Sequence, residues 1–198
     1  MELAGKRVGF AVTGSFCTID AVLPAMMELK SEGAELTPIF SNSVYEWDTR
    51  FFTAKDLIEK VYDICGKLPL HTVQDVEPIG PKKLLDIVVV APCTGNTLAK
   101  MAAGIVDTPV LMAAKSNLRN GMPVVLAVST NDGLSNSAKN IGTLSNMRNI
   151  YLVPYEQDSP KGKPNSLVAR MELITDTCRL ALEGKQIQPV LYKSGTMG

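Results

Sequence analysis

The chain has 198 residues, 45% of them hydrophobic, a size that suits a single domain with a sizeable core. Twenty basic and 20 acidic residues cancel and only 6% of residues are aromatic, so neither a basic field for duplex nucleic acid nor a stacking platform for single strands is expected. Met1 to Arg7 lacks a leader's apolar stretch, and the longest apolar run, Ile87 to Pro92, is far too short to cross a bilayer, which predicts a cytoplasmic chain without a membrane partner.

Lys6 to Thr13 reads as a strand, with Val8, Phe10 and Val12 apolar and Gly9 and Ala11 small. Ser15 to Glu32 reads as a helix on the spacing of Val22, Met26 and Leu29, with Pro24 confined to its first turn or kinking it. Glu35 to Phe40 is a second strand, and Ser41 to Phe52 a polar and aromatic loop. Thr53 to Cys65 is a helix with Leu57, Ile58, Val61 and Ile64 on one side and Gly66 as its stop. Leu68 to Val73 is a short, poorly patterned strand.

Asp86 to Ala91 is rich in β-branched residues, as a strand covered on both faces requires. Helices follow over Asn96 to Gly104 and Thr108 to Asn120, then a buried strand over Pro123 to Ser129 and a weaker helix over Leu134 to Met147. Ile150 to Val153 is a strand and Asp158 to Pro164 a loop. Asn165 or Ser166 is expected to cap a last helix whose inner stripe is Leu167, Met171, Ile174, Cys178 and Leu182. No repeat or boundary interrupts the chain, so residues 1–198 are read as one domain. The alternation of strands and helices predicts an α/β fold of Rossmann-like or flavodoxin-like type, three layers around a mostly parallel sheet.

In such sheets ligands bind beyond the carboxyl ends of the strands, where strand order reverses. The loops at those ends are Thr13-Gly14-Ser15, Ser41-Asn42-Ser43, Pro92 to Thr97, and Ser129 to Gly133. Gly14 permits a sharp strand-to-helix turn whose hydroxyls and N–H groups favour phosphate, but an ordinary capped turn fits equally well. The loop is neither a G-x-G-x-x-G fingerprint nor a triphosphatase loop, since Ser15 stands where the lysine would be. In the third loop Pro92 is expected to end the ladder, Gly95 permits close approach, and Asn96 offers an amide that both donates and accepts. A helix packed tightly on its own sheet explains the same small residues.

Cys17, Cys65, Cys93 and Cys178 are scattered without a C-x-x-C pair and His71 is the only histidine, so no metal site is expected. Cys93 near a helix start is either activated or packed and inert, and Cys17 has the same two readings. Trp47, Phe51 and Phe52 either cover a ring or fill core or interface. Arg50, Lys100, Lys115 and Arg119 are the cations available to a dicarboxylate.

Pro92, Asn96-Thr97, Ala99-Lys100, Gly104 and Asp107 resemble the P-A-S-A-N-T-x-A-K-x-x-x-G-x-x-D signature of the homo-oligomeric flavin-containing cysteine decarboxylase superfamily. The resemblance covers roughly residues 6 to 155. It implies FMN, or phosphate in its place, held by Gly14, Ser15, Ser41, Asn42, Pro92, Thr94, Asn96 and Thr97, and assembly into trimers or larger rings. Within the superfamily, Gly14 to Thr18, Glu77 to Pro81 and Ser129 to Leu134 match most closely one component of an oxidoreductase of spore-forming bacteria. That likeness implies aromatisation of a cyclic dicarboxylate, with NADP bound by a separate partner chain. The superfamily's decarboxylases keep a histidine where this chain has Pro78, and a P-x-M-N loop where it has Ser129-Thr130-Asn131-Asp132. The departures disfavour a cysteine decarboxylase, and a non-catalytic scaffold remains the other reading.

Overall fold

The structure, a computed structural model, describes residues 2–193. Five parallel strands form its centre: β1 (Arg7–Val12), β2 (Glu35–Phe40), β3 (Ile87–Cys93), β4 (Val124–Thr130) and β5 (Ile150–Leu152). Their order is β2-β1-β3-β4, with β5 beside β4. This is the flavodoxin-like arrangement, in which strand order reverses between β1 and β3. An antiparallel hairpin, β6 (Tyr155–Ser159) and β7 (Lys163–Ala169), completes a seven-stranded sheet. β4 is shared along its length: Val124 to Leu126 pair with β5, whereas Ser129 and Thr130 pair with β7.

Alternation in β3 fixes the layers. Ile87, Val89 and Ala91 face a core with α1 (Leu23–Ser31), α3 (Ala54–Cys65) and α8 (Ile174–Leu182). Val88 and Val90 face the opposite core, built with α5 (Gly95–Ala102), α6 (Pro109–Arg119) and α7 (Ala138–Ser145). Both sides of the strand are buried, which is why the run reads as continuously apolar. Pro24 sits in the first turn of α1, where a missing N–H costs nothing. Thr53 caps α3 by accepting from the Asp56 N–H, and Gly66 ends it at φ 70°.

Several expectations need correction. The first helix is split, with a 3₁₀ turn over Phe16–Ala21 preceding α1. The loop after β2 opens with a short helix, α2 (Asn42–Glu46). Leu68 to Val73 is no strand: Leu70 makes one bridge to Ile39, and Thr72 closes a capping box on α4 (Val73–Val76). The helix expected from Leu134 begins only at Ala138, because turns from Asn131 to Ser137 precede it. Asn165 and Ser166 cap nothing; they lie in β7, and the last helix starts at Ile174. Pro92 does not end the ladder, which shifts register after Val90 and resumes at Cys93 opposite Val128.

Candidate functional site

The loops after β1, β2, β3 and β4 converge at one edge, and hydrogen bonds tie them together. Thr13 is 2% exposed; its hydroxyl donates to the Pro92 carbonyl at 2.7 Å and accepts from the Thr94 N–H at 3.1 Å. The Ser41 N–H donates to the Val12 carbonyl at 3.0 Å. A Cβ on Gly14 would lie 3.0 Å from Ser43 Oγ, so the first two loops touch and only glycine leaves the gap between them free.

Two cavities open here and share Gly14, Phe16 and Thr94. The first, about 430 Å³, gathers the hydroxyls of Thr13, Ser41, Ser43, Thr94, Thr97 and Thr108, with Asn42, Asn96, Lys100 and Trp47. Thr94 is the N-cap of α5, accepting from the Thr97 N–H at 3.2 Å. Asn96 is exposed and, among the described residues, its amide has no hydrogen-bond partner, so it is not the cap. The signature spacing has a local cause. Gly104 ends the α5 turn at φ 71°, and Asp107 returns to pair with Lys100 at 2.6 Å.

The second cavity, about 860 Å³, lies between the β1 and β4 loops and the hairpin. Ser15 belongs here rather than with Ser41: its hydroxyl is hydrogen bonded to Ser129 Oγ at 2.9 Å and Thr18 Oγ1 at 3.1 Å. Pro92 lines neither cavity and contributes the carbonyl that holds Thr13. Of the expected residues, Gly14, Ser41, Asn42, Thr94, Asn96 and Thr97 thus come together in one cavity.

The β4 loop is fixed from within. The Thr130 hydroxyl donates to Asp132 Oδ1 at 2.6 Å, and this bond, followed by one from Ser137, holds the Asp132 carboxyl below the ordinary carboxylate range. A carboxyl so shifted contributes stability above its unfolded pKa of about 3.9, and the contribution is lost as pH falls through the lower folded value. Asp132→Asn is therefore expected to destabilise the protein at neutral pH and to bring it closer to the parent in acid. Melting curves from pH 7 to pH 3 test this, and a constant gap between the two proteins would refute it.

Cysteine chemistry is absent from the cavities' walls, among the described residues, except at exposed Cys17. Cys93 is fully buried, and loss of hydration pushes its thiol upward, so it is inert. His71 stacks on Tyr45 with centroids 3.7 Å apart and lies outside both cavities. Lys115 and Arg119 are also outside them. Sequence reasoning placed Ser43 in a ligand-end loop without assigning it a role, and it missed Thr108, whose only signal was a hydroxyl at a helix start. It also missed the hairpin's part in the second cavity.

The chain belongs to the Flavoprotein family, which it matches over residues 1–179. It is 44% identical to the B-type chain of dipicolinate synthase from Bacillus subtilis (strain 168), over 98% of this chain and 96% of that protein. The crystal structure of the corresponding B-type chain of dipicolinate synthase from Bacillus halodurans C superposes with a TM-score of 0.90 at 47% identity, covering 97% of this chain and 98% of the other. At 21% identity, the FMN binding protein AtHal3 shares the fold, with a TM-score of 0.63 over 92% of this chain and 99% of that one.

Proposed function

We propose that this chain is the flavin-binding component of a dipicolinate synthase, working with an A-type partner chain that carries NADP. The observation that carries the reading is the first cavity, placed at the β1/β3 crevice of a chain 44% identical to a dipicolinate synthase component over nearly its whole length. Its donors are hydroxyls, an unpartnered amide and the N-terminus of α5, a neutral set with Lys100 as the one lining cation among the described residues. That chemistry suits a phosphate monoester and the polar edge of a flavin. Ser41, Ser43, Thr94 and Thr97 would hold the phosphate end of FMN, with Gly14 leaving room and Asn42 and Asn96 offering amides. When bound, FMN would supply a two-electron carrier.

The reaction proposed is oxidation of a dihydropyridine dicarboxylate, or its hydrated tetrahydro precursor. For the dihydro compound, one hydride passes to NADP and one proton to solvent, leaving pyridine-2,6-dicarboxylate. Aromatisation favours the product, so the protein's work is to hold two carboxylates and exclude water. The setting would be the mother-cell cytoplasm of an endospore former, and the chain would assemble as a trimer or a multiple of it, with exposed Trp47 available for contact.

Co-purification with the A-type partner, followed by an assay for pyridine-2,6-dicarboxylate with each chain omitted in turn, tests the role. Flavin absorbance of the purified chain tests the cofactor. A scaffold role is the second reading, favoured by the position of His71, which leaves no imidazole of this chain in either cavity. Product formed by the A-type partner alone would establish it.

Asn96→Ala is expected to weaken FMN binding about ten- to a hundredfold, since a hydrogen bond to a charged group is worth roughly 1.5–3 kcal/mol. Its melting temperature should hold, because Thr94 caps the helix. Cys93→Ala should leave FMN affinity intact. Fluorescence titration of FMN with both variants decides the matter, and unchanged affinity in Asn96→Ala refutes the assignment.

A further inference from the structure

The second cavity carries a cation that no described residue neutralises. Arg50 lines it, and among the described residues no carboxylate pairs with its guanidinium, which lies 4.8 Å over the Phe51 ring. The other lining cation, Lys163, is paired with Asp158 at 2.7 Å. Asp132, hydrogen bonded to Thr130, does not line the cavity. The described cavity walls therefore hold one unbalanced positive charge.

The backbone that carries exposed Arg50 is also held in place. Thr49 and Phe52 close a turn around it: the Thr49 N–H donates to the Phe52 carbonyl at 2.9 Å, and the Thr49 hydroxyl accepts from the Phe52 N–H at 3.3 Å. Phe52 is 8% exposed and meets Phe16 edge-on, with centroids 6.1 Å apart. On the following side, Asp48 Oδ1 accepts from the Ala54 N–H at 2.9 Å, pinning the loop to the start of α3. The turn is anchored at both ends, and Arg50 and Phe51 form its tip. Asn131, exposed and without a hydrogen-bond partner among the described residues, lines the same cavity from the β4 loop.

We infer that Arg50 is the carboxylate anchor of this cavity and that its ligand is a planar ring bearing two carboxylates. A guanidinium fork binds one carboxylate through two parallel hydrogen bonds, which a lysine cannot reproduce. The second carboxylate falls to the Asn131 and Lys163 side. The choice of a pyridine dicarboxylate rests on the proposed function; the anchor itself rests on the unpaired guanidinium and the turn that holds it.

Calorimetric titration of the full chain with pyridine-2,6-dicarboxylate, with and without FMN, tests this. Arg50→Gln should lose about ten- to a hundredfold in affinity for the diacid, the loss expected when a hydrogen bond to a charged group is removed. Arg50→Lys should recover only part of it. Affinity for FMN should not change, and Lys115→Gln, which alters an exposed cation outside the cavities, should bind the diacid like the parent. Pyridine-2,6-dicarboxamide, which has the same ring without charge, should be indifferent to Arg50. Equal diacid binding by Arg50→Gln and the parent, equal losses in Arg50→Gln and Lys115→Gln, or no diacid binding by the FMN-loaded parent would overturn the inference while leaving the flavin reading intact. Diacid binding that depends on Arg50 in a chain that takes up no FMN would uphold the anchor and remove the flavin.

Discussion

Thr13→Val is expected to lower the melting temperature by about 5–15 °C and to weaken FMN binding at least tenfold. Valine matches threonine in shape but supplies neither the donor for the Pro92 carbonyl nor the acceptor for the Thr94 N–H. Each buried polar group left unsatisfied costs roughly 1–3 kcal/mol. At this chain length each kcal/mol moves the midpoint by about 2–4 °C. The functional loss follows because Thr13 is the side chain that fixes the β1 loop to the residue capping α5. Thr13→Ser keeps the hydroxyl and should bind FMN like the parent. Thermal melts and fluorescence titration of the pair are the measurement. A valine variant that melts with the parent would show that the bridge contributes nothing.

Gly95→Ala is expected to be nearly as damaging, through crowding. The added Cβ would sit 2.6 Å from Thr130 Oγ1, 2.8 Å from Ser137 Oγ and 2.9 Å from Asp132 Oδ1. These are short side chains joined in one hydrogen-bonded group, so they cannot swing aside as the tip of a lysine would. Overpacking of this kind costs roughly 1–3 kcal/mol. Relief requires moving either the β4 loop, which borders the second cavity, or the first turn of α5, whose Asn96 and Thr97 line the first. Lower melting temperature with FMN affinity reduced at least tenfold is the expected result. Gly142 is the control: it lies within α7, and a Cβ there meets nothing within 4 Å. Alanine at that position should stabilise by about 0.5–1 kcal/mol. Unchanged FMN affinity in Gly95→Ala would mean that the close approach at Gly95 does not position the site.

The parallel half of the fold was legible because its signals are local. β3 is apolar at every position since both its faces are covered, and Thr53 and Gly66 bracket α3 by cap chemistry alone. The segment from Thr94 to Asp107 likewise carries its own cap, stop and ion pair. The hairpin was illegible for the opposite reason. Lys163-Pro164-Asn165 is polar and has little strand propensity; it extends because Leu167 and Val168 further along pair with the distant end of β4. The spacing of Leu167, Met171, Ile174 and Cys178 imitates one helical stripe while spanning a strand, a 3₁₀ turn and α8. Arg50 and Ser15 show the same limit at the site. Their chemistry was visible, but which cavity each serves depends on a turn closed by Thr49 and on a hydroxyl of Ser129, 114 residues away.

The division of β4 between two neighbours separates what an inheritance can keep from what it can alter. Three loops of the parallel sheet, joined by the Thr13 hydroxyl and by the bond from the Ser41 N–H to the Val12 carbonyl, form the first cavity, whereas Tyr155–Ala169 is attached to β4 chiefly through the short ladder at Ser129 and Thr130. A lineage could rewrite the hairpin's exposed positions, including Asp158 and Lys163, without disturbing a single bond among those loops. Chimeras that transplant this segment between homologues should accordingly keep the parent's affinity for FMN and its contact at Arg50 while exchanging the opposite wall of the second cavity, making that wall an interchangeable cassette on a fixed chassis.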